Sequence, residues 1–470
     1  MTNAIEEALE AKIPGFKARI GGEELKRASA ALLGVSPAAE DGESDGNDAL
    51  GSPFTGTLSW LSLDFEPDPL IKELLYSTRR YAALSRRKPS DLEAVYNYGL
   101  ILQEIASRLK LDVEMGRREV ENERIVEILA LACCKYEKSV AIQEDFQPAL
   151  YNWGVALMEL SGLVKVTNPA QALCYLHEAS QKYAKSLGAV PSNPQALNNW
   201  GLVLQEVSSF HHDLSTKLRL AVKAIDKFRR AIRLRPDFDH GCYNLGTIFY
   251  SHACILRTQL QKSQPNEYQS SEGALLPIFS LLVGGEKATS EAVDIMMRTA
   301  AQYIVLAYAL QPAKEVYQQS LRVVQNMHTL PKPYLAAGYL KAPSLSTRND
   351  TSKTWEKLLF VLDHTIMRSN PSTQHAGRGG VQETTETSNE TYNIPLSDIV
   401  SAVRCVELSL PEGEAFWLQT KTTPQGIYFV AEDKESADCW VDALTLCHHI
   451  HTQNRSNVLG VALGATPPKK

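Results

Sequence analysis

One short line recurs four times and fixes most of what this chain can fold into. It reads Val95-Tyr-Asn-Tyr-Gly99, Leu150-Tyr-Asn-Trp-Gly154, Leu197-Asn-Asn-Trp-Gly201 and Cys242-Tyr-Asn-Leu-Gly246. Each copy opens a stretch whose apolar residues return at three and four, the period of a helix that buries one face. A second line follows each copy: a small residue, a ring or aliphatic four on, a small residue three on, and a Pro five on. It appears as Ala179, Tyr183, Ser186, Pro191, as Ala224, Phe228, Ala231, Pro236, and as Ala300, Ile304, Ala307, Pro312. Looser copies are Ser77, Tyr81, Leu84, Pro89 and Ala132, Tyr136, Ser139, with Glu144 in the Pro position. Gly and Ala let two helices approach closely, the ring fills the space between them, and Pro ends the second helix. The chain is therefore predicted to stack helical hairpins from Leu58 to about Val324.

Taken in this order, the residues resemble the tetratricopeptide repeat (TPR), and the phase agrees, since Pro89, Pro191 and Pro236 each stand ten residues before the next Gly. The departure is length. A TPR repeats every 34 residues or so, whereas the Pro-equivalent positions here step by 55, 47, 45 and 76. Because the Pro-to-Gly spacing is constant, the excess falls inside each hairpin. The smaller excesses are expected to lengthen both helices, and the largest, around Leu256 to Lys287, to form a loop.

The rest of the chain is read by its shifts in composition. Residues 1–57 are expected to be a flexible arm, with five acids between Ala39 and Asp48 and too little apolar surface to offset ordering. The solenoid is placed at 58–330. From 335 to 452 the text turns to short β-branched runs closed by the amphipathic stretch Glu435 to Leu444, with a Gly/Ser/Thr-rich loop at 369–391. Residues 453–470 read as a tail. The order Gly338-Tyr-Leu-Lys341, Trp355 before Phe360-Val-Leu362, and a late Trp440 resembles a pleckstrin-homology (PH) domain, a small barrel capped by one helix. The expected fold class is thus mainly α: a TPR-like α-solenoid with extended hairpins, followed by a small β-barrel plus helix.

Composition narrows the function. The 48 Lys plus Arg against 54 Asp plus Glu give a net charge of −6, which argues against a dedicated nucleic-acid binder. The eight Cys form no Cys-x-x-Cys spacing, as expected of free thiols in a reducing compartment. No signal peptide is read at the N-terminus, and the longest uncharged run, Gly273 to Gly285, is too short to span a bilayer. A cytoplasmic protein with peripheral membrane contact is expected. Phosphate-loop, nucleophile-elbow and zincin motifs are absent, so no enzyme, catalytic residue or cofactor is expected. Cys447-His-His-Ile-His451 offers four metal-ligand types, but His448 and His449 point apart on a helix, and no metal site is assigned.

Three groups of candidate binding residues remain. Tyr96, Asn97, Tyr151, Asn152, Asn198, Asn199, Tyr243 and Asn244 form a ladder on the first helices. In TPR proteins those helices line a groove for extended peptides; the alternative is that the ladder satisfies packing between hairpins. Lysine and arginine do not dominate these faces, which disfavours a clamp for a peptide's terminal carboxylate. Lys217, Arg219, Lys223, Lys227, Arg229, Arg230, Arg233 and Arg235 form a basic patch beside one acid, Asp226. It is either a contact for an acidic filament or membrane, or a solvated helix face. In the barrel, Lys341 matches the first-strand lysine of PH domains that hold phosphoinositides. Glu356 and Leu358 stand where two basic residues should be. Only Lys357 is left, and alternation is expected to point it to the other face, so headgroup binding is not expected.

The joint order of modules resembles a plant adaptor of the trans-Golgi network and early endosome that links membrane traffic to actin. That resemblance implies protein partners, among them actin filaments and an Arf-type exchange factor. Alternative readings are a regulator or partner-binding subunit of such an exchange factor, or a phosphoinositide-targeted peripheral protein.

Overall fold

The computed structural model describes residues 69–117, 120–262, 290–327, 330, 333–345, 354–370 and 391–464. The acidic arm at 1–57, most of the 369–391 loop and the proposed loop from 263 lie outside the described residues. Within them the chain divides into two compact units between Ser192 and Asn193.

The first unit holds α1 (Pro69–Arg87), α2 (Leu92–Glu114), α3 (Asn122–Ile142), α4 (Gln147–Val164) and α5 (Pro169–Ala189). Helices α2 and α3 pack as one hairpin, α4 and α5 as the next. The excess length over a TPR goes into the helices, which run 23, 21, 18 and 21 residues. Their starts follow from side chains that accept an otherwise orphaned N–H: Asp91 accepts from Ala94 N and Asn168 from Gln171 N, with Pro169 at the first helical position.

The second unit begins with two more hairpins, α6 (Pro194–Ser209) with α7 (Leu214–Leu234) and α8 (Asp239–Lys262) with α9 (Ser290–Leu310), then α10 (Glu315–Asn326). Seven strands follow: β1 (Ala336–Pro343), β2 (Trp355–Leu362), β3 (Ile366–Asn370), β4 (Asn393–Pro395), β5 (Ile399–Arg404), β6 (Glu414–Thr420) and β7 (Ile427–Ala431). They form one antiparallel sheet in the order β4-β3-β2-β1-β7-β6-β5, curled into a half-barrel. Helix α11 (Lys434–Thr452) packs on β5, β6 and β7. Its Trp440 lies close to Gly338 of β1, in one apolar cluster with Phe360, Phe416 and Phe429. This architecture is compatible with the PH-like expectation.

Two expectations need correction. Residues 453–470 are not all tail: α12 (Ser456–Ala462) buries Leu459 and Ala462 and packs on α9, and Gln325 donates to the Ala462 carbonyl at 2.9 Å. Its apolar residues return at three, which is helix patterning that the short length concealed. The major division also does not fall between helices and sheet at 330–335. One hydrophobic cluster runs from Leu218 and Phe228 on α7 through Tyr303 on α9 into Phe416 and Trp440. Arg455 reaches back to the Leu310 carbonyl. The sheet is built onto the last hairpins.

Hairpin packing explains the recurring glycines. A Cβ on Gly99 would stand 2.9 Å from the Tyr136 ring, and one on Gly154 2.8 Å from Tyr183. On Gly201 it would meet Phe228 at 2.5 Å, and on Gly246 Ile304 at 2.7 Å. Tyr136, Tyr183 and Phe228 are fully buried and have no room to retreat. Gly201→Ala is therefore expected to destabilise the second unit by about 1–3 kcal/mol through overpacking. Gly188→Ala, which meets nothing within 4 Å, should be neutral or stabilising. Urea midpoints of the two variants check this; equal midpoints would remove the steric account.

Candidate interaction surfaces

The Asn and Tyr ladder is largely occupied by neighbouring hairpins. Asn152 on α4 donates to the Tyr96 hydroxyl on α2 at 2.8 Å. In the second unit Asn244 on α8 donates to Asn198 Oδ1 at 2.8 Å, and Asn198 donates to Asn199 at 3.3 Å. The Tyr243 hydroxyl meets Ser320 of α10 at 3.1 Å, and its ring packs on Tyr317. Tyr151 packs edge-on against Tyr183. Asn97 is half-buried on α2. Of the two readings of this ladder, these contacts supply the packing one; a groove would have to use the half-buried edges that remain.

A feature the sequence reading missed lies beside three of the four glycines, Gly99, Gly154 and Gly201. The residue before the Gly is a ring, and the residue before the ring that fills the Gly is a lysine: Lys135-Tyr136, Lys182-Tyr183, Lys227-Phe228. Lys135 Nζ stands 4.7 Å from the Tyr98 centroid, Lys182 Nζ 3.5 Å from Trp153, and Lys227 Nζ 4.7 Å from Trp200. Each of these three hairpins thus carries a cation–π contact, worth about 0.5–2 kcal/mol. Burial pushes the Lys135 ammonium down to about 8 and lowers Lys182 as well. The signal was present as a Lys-ring pair at constant phase.

The basic patch divides in two. Arg229 is buried, and its guanidinium is held by α11: Nη2 and Nη1 donate to the two oxygens of Glu435 at 2.6 and 3.1 Å, and Nε to Asp442 Oδ2 at 2.7 Å. Arg233 Nε donates to Asp442 Oδ1 at 2.7 Å and its Nη2 to Asp438 Oδ1 at 2.9 Å. The Tyr303 hydroxyl of α9 donates to Asp442 at 2.6 Å. Arg404 of β5 approaches Asp438 at 3.6 Å. Burial alone would lower the Arg229 pKa, but Glu435, Tyr303 and Asp442 hold it well above the usual guanidinium value. Arg229 and Arg233 are therefore corrected from an outward contact to an internal one: the buried Arg229 and the half-buried Arg233 and Arg404 meet three buried carboxylates. Glu435, Asp438 and Asp442 were overlooked, although their spacing of three and four on one helix matches the Arg229–Arg233 spacing of four.

The other cations of the patch remain outside. Arg219, Lys223 and Arg230 are exposed, and Lys217, Lys227 and Arg235 are half-buried. Lys227 pairs with Asp226 at 3.0 Å, and Arg235 lies over the Phe238 ring and beside Asp237 at 3.4 Å.

In the sheet, Lys341 and Lys357 are direct cross-strand partners. They share one face, which corrects the expectation that they point apart: antiparallel register pairs residues, whereas alternation was counted along one strand alone. Lys341 Nζ donates to the Glu412 carbonyl at 2.6 Å, and Lys357 sits 3.8 Å from Glu432. A cleft of about 470 Å³ opens at the ends of β4, β6 and β7. Thr391, Asn393, Asp398, Thr420, Thr422 and Thr423 supply its polar lining, and no lysine or arginine among the described residues lines it.

In the Cys447–His451 stretch, His448 Nδ1 contacts the Leu396 carbonyl at 3.0 Å, His451 contacts Ser456 at 2.9 Å, and Cys447 is buried. Among the described residues no group of three His, Cys, Asp or Glu side chains could hold a metal ion, and no helix is long and apolar enough to cross a membrane.

No protein-family model matches the sequence, and no curated protein matches it. Among solved structures the chain is similar to YrrB, described as a TPR protein with an unusual peptide-binding site. The identity is 15%, the TM-score 0.24, and the match covers 53% of this chain and 92% of YrrB. At that level the repeat fold rests on the hairpin geometry above.

Removing Arg229 would leave Glu435 and the fully buried Asp442 without their counter-charge. Arg229→Met is expected to cost the second unit about 3–5 kcal/mol, against less than about 0.5 kcal/mol for the exposed Arg230→Met. Chemical denaturation followed by Trp fluorescence reads both. Equal, small effects would mean the cluster is not holding α7 to α11.

Proposed function

We propose that this chain is a non-enzymatic adaptor, cytoplasmic and peripheral at the trans-Golgi network and early endosome, that links membrane traffic to actin by binding proteins. The observation that carries this reading is architectural. Long helical hairpins and a half-barrel are joined through a shared core, and the ionisable groups buried there are engaged with one another rather than grouped around a cleft. Helical hairpins stacked in this way offer extended surfaces to partner proteins. The order of modules also resembles the plant protein named for the hypersensitivity of its mutant to latrunculin B, which is the source of the actin, trans-Golgi and Arf exchange-factor assignments. In this reading the half-barrel is a PH-like module that docks protein and does not hold a phosphoinositide headgroup. The lining of its cleft, hydroxyls and one carboxylate without a guanidinium fork, supports that view.

Two measurements test the proposal. The tagged full chain is expected on trans-Golgi puncta that disperse when actin is depolymerised; a diffuse or nuclear signal indifferent to actin would reject it. In flotation with phosphoinositide-containing liposomes at physiological salt, the full chain should stay in the unbound fraction. The loss of two charge-assisted contacts weakens headgroup binding on the order of a hundredfold. Headgroup-selective flotation would instead favour the lipid-targeted reading.

A further inference from the structure

We infer that the outer face of α7 is a docking stripe for an acidic α-helix of a partner protein. The inference goes beyond the adaptor reading in naming both the surface and the chemistry of its ligand. Arg219, Lys223 and Arg230 are exposed along one side of α7, with Lys227 between them. Their spacing of four, four and three keeps them in one row about 16 Å long. The single acid in the row, Asp226, is matched by Lys227.

The adjacent flank of the same helix shows what such a row recognises. There Arg229 and Arg233, four residues apart, receive Glu435, Asp438 and Asp442 from α11, carboxylates three and four residues apart on a second helix. The contacts include a two-pronged one between Arg229 and Glu435, at 2.6 and 3.1 Å. Helix α7 therefore reads an acidic helix on one flank by a spacing that it repeats on the next, where Arg219, Lys223 and Arg230 are exposed and Lys227 lies over the Trp200 ring of α6. Charge complementarity selects the occupant: a helix with Asp or Glu at i, i+3 or i+4, and i+7.

A lipid surface fits less well. Leu218, Ala221, Ala224, Ile225, Phe228 and Ile232 are all buried in the core, so little apolar surface of α7 is left to enter a bilayer. Four cations alone hold an anionic membrane only weakly.

The test uses the full chain and a labelled alanine-based helical peptide carrying Glu at i, i+4, i+7 and i+11. A second peptide of the same composition has its Glu residues scattered around the helix. Fluorescence anisotropy should show binding of the first peptide that weakens from low to physiological salt as screening grows. The triple variant Arg219→Glu, Lys223→Glu, Arg230→Glu should lose about a hundredfold in affinity while its circular dichroism is unchanged. The triple variant Lys72→Glu, Arg79→Glu, Arg80→Glu changes exposed cations of α1 by the same net charge and should bind nearly as well as the parent. Absence of binding, equal binding of the scattered peptide, or equal losses in the two variants would overturn the inference. So would displacement of the peptide by phosphatidylserine vesicles at matched charge, which would transfer the stripe to a membrane. None of these outcomes bears on the trans-Golgi and actin test, so the two readings fail separately.

Discussion

The second unit depends on compensating the charge of one buried guanidinium. Arg229 is buried, where an unpaired cation would cost several kcal/mol. The solution is specific: Glu435 takes the two terminal nitrogens, Asp442 takes Nε, and the Tyr303 hydroxyl and Arg233 occupy what is left of Asp442. Three helices, α7, α9 and α11, meet at that carboxylate. A helix that slid by one residue would rotate Asp442 away and leave both partners charged and dry. The ion cluster thus sets register between the hairpins and the half-barrel, while the apolar cluster around it supplies most of the attraction.

The hairpins obey a different constraint, set by volume. A ring fills the notch left by Gly99, Gly154 and Gly201, and Ile304 the one left by Gly246; in the first three the helices come close enough for the lysine before the ring to lie over the ring of the facing helix. With the inner contacts so close, the polar residues beside the Gly reach the next hairpin, as Asn152 reaches Tyr96 and Asn244 reaches Asn198. Polar side chains spent between hairpins are unavailable to a ligand. The exposed charge of these hairpins lies instead on outward rows such as that of α7.

Much of this was readable in the amino acids because it is local or periodic. Asp91, Asn168, Asn193 and Asp213 announce helix starts by accepting the N–H three residues on, and the alternation of the Gly line with the small-ring-small line repeats often enough to give the hairpins. What could not be read was pairing across distance. Nothing near Arg229 announces Glu435, which lies 206 residues away, so a row of eight cations looked uniformly outward. The cross-strand partnership of Lys341 and Lys357 escaped for a related reason: alternation tells which residues of one strand share a face but not where the neighbour's register begins. Helix α12 escaped because seven residues give barely two turns of pattern.

The division of α7 into two charged flanks separates two kinds of ion pair. Arg229 is dry and Arg233 half-buried against buried carboxylates, so their ion pairs resist salt and fix structure; the outer cations are wet, so any contact they make is screened within about a Debye length of 8 Å at physiological ionic strength. One residue type at one spacing therefore does two jobs, separated only by burial. Exchange between the two is blocked, because releasing α11 to free Arg229 and Arg233 would leave Asp442 and Glu435 without their counter-charge in an apolar core. A partner helix can then add to α7 but cannot replace α11, which makes the half-barrel a fixed part of the surface and not a lid over it.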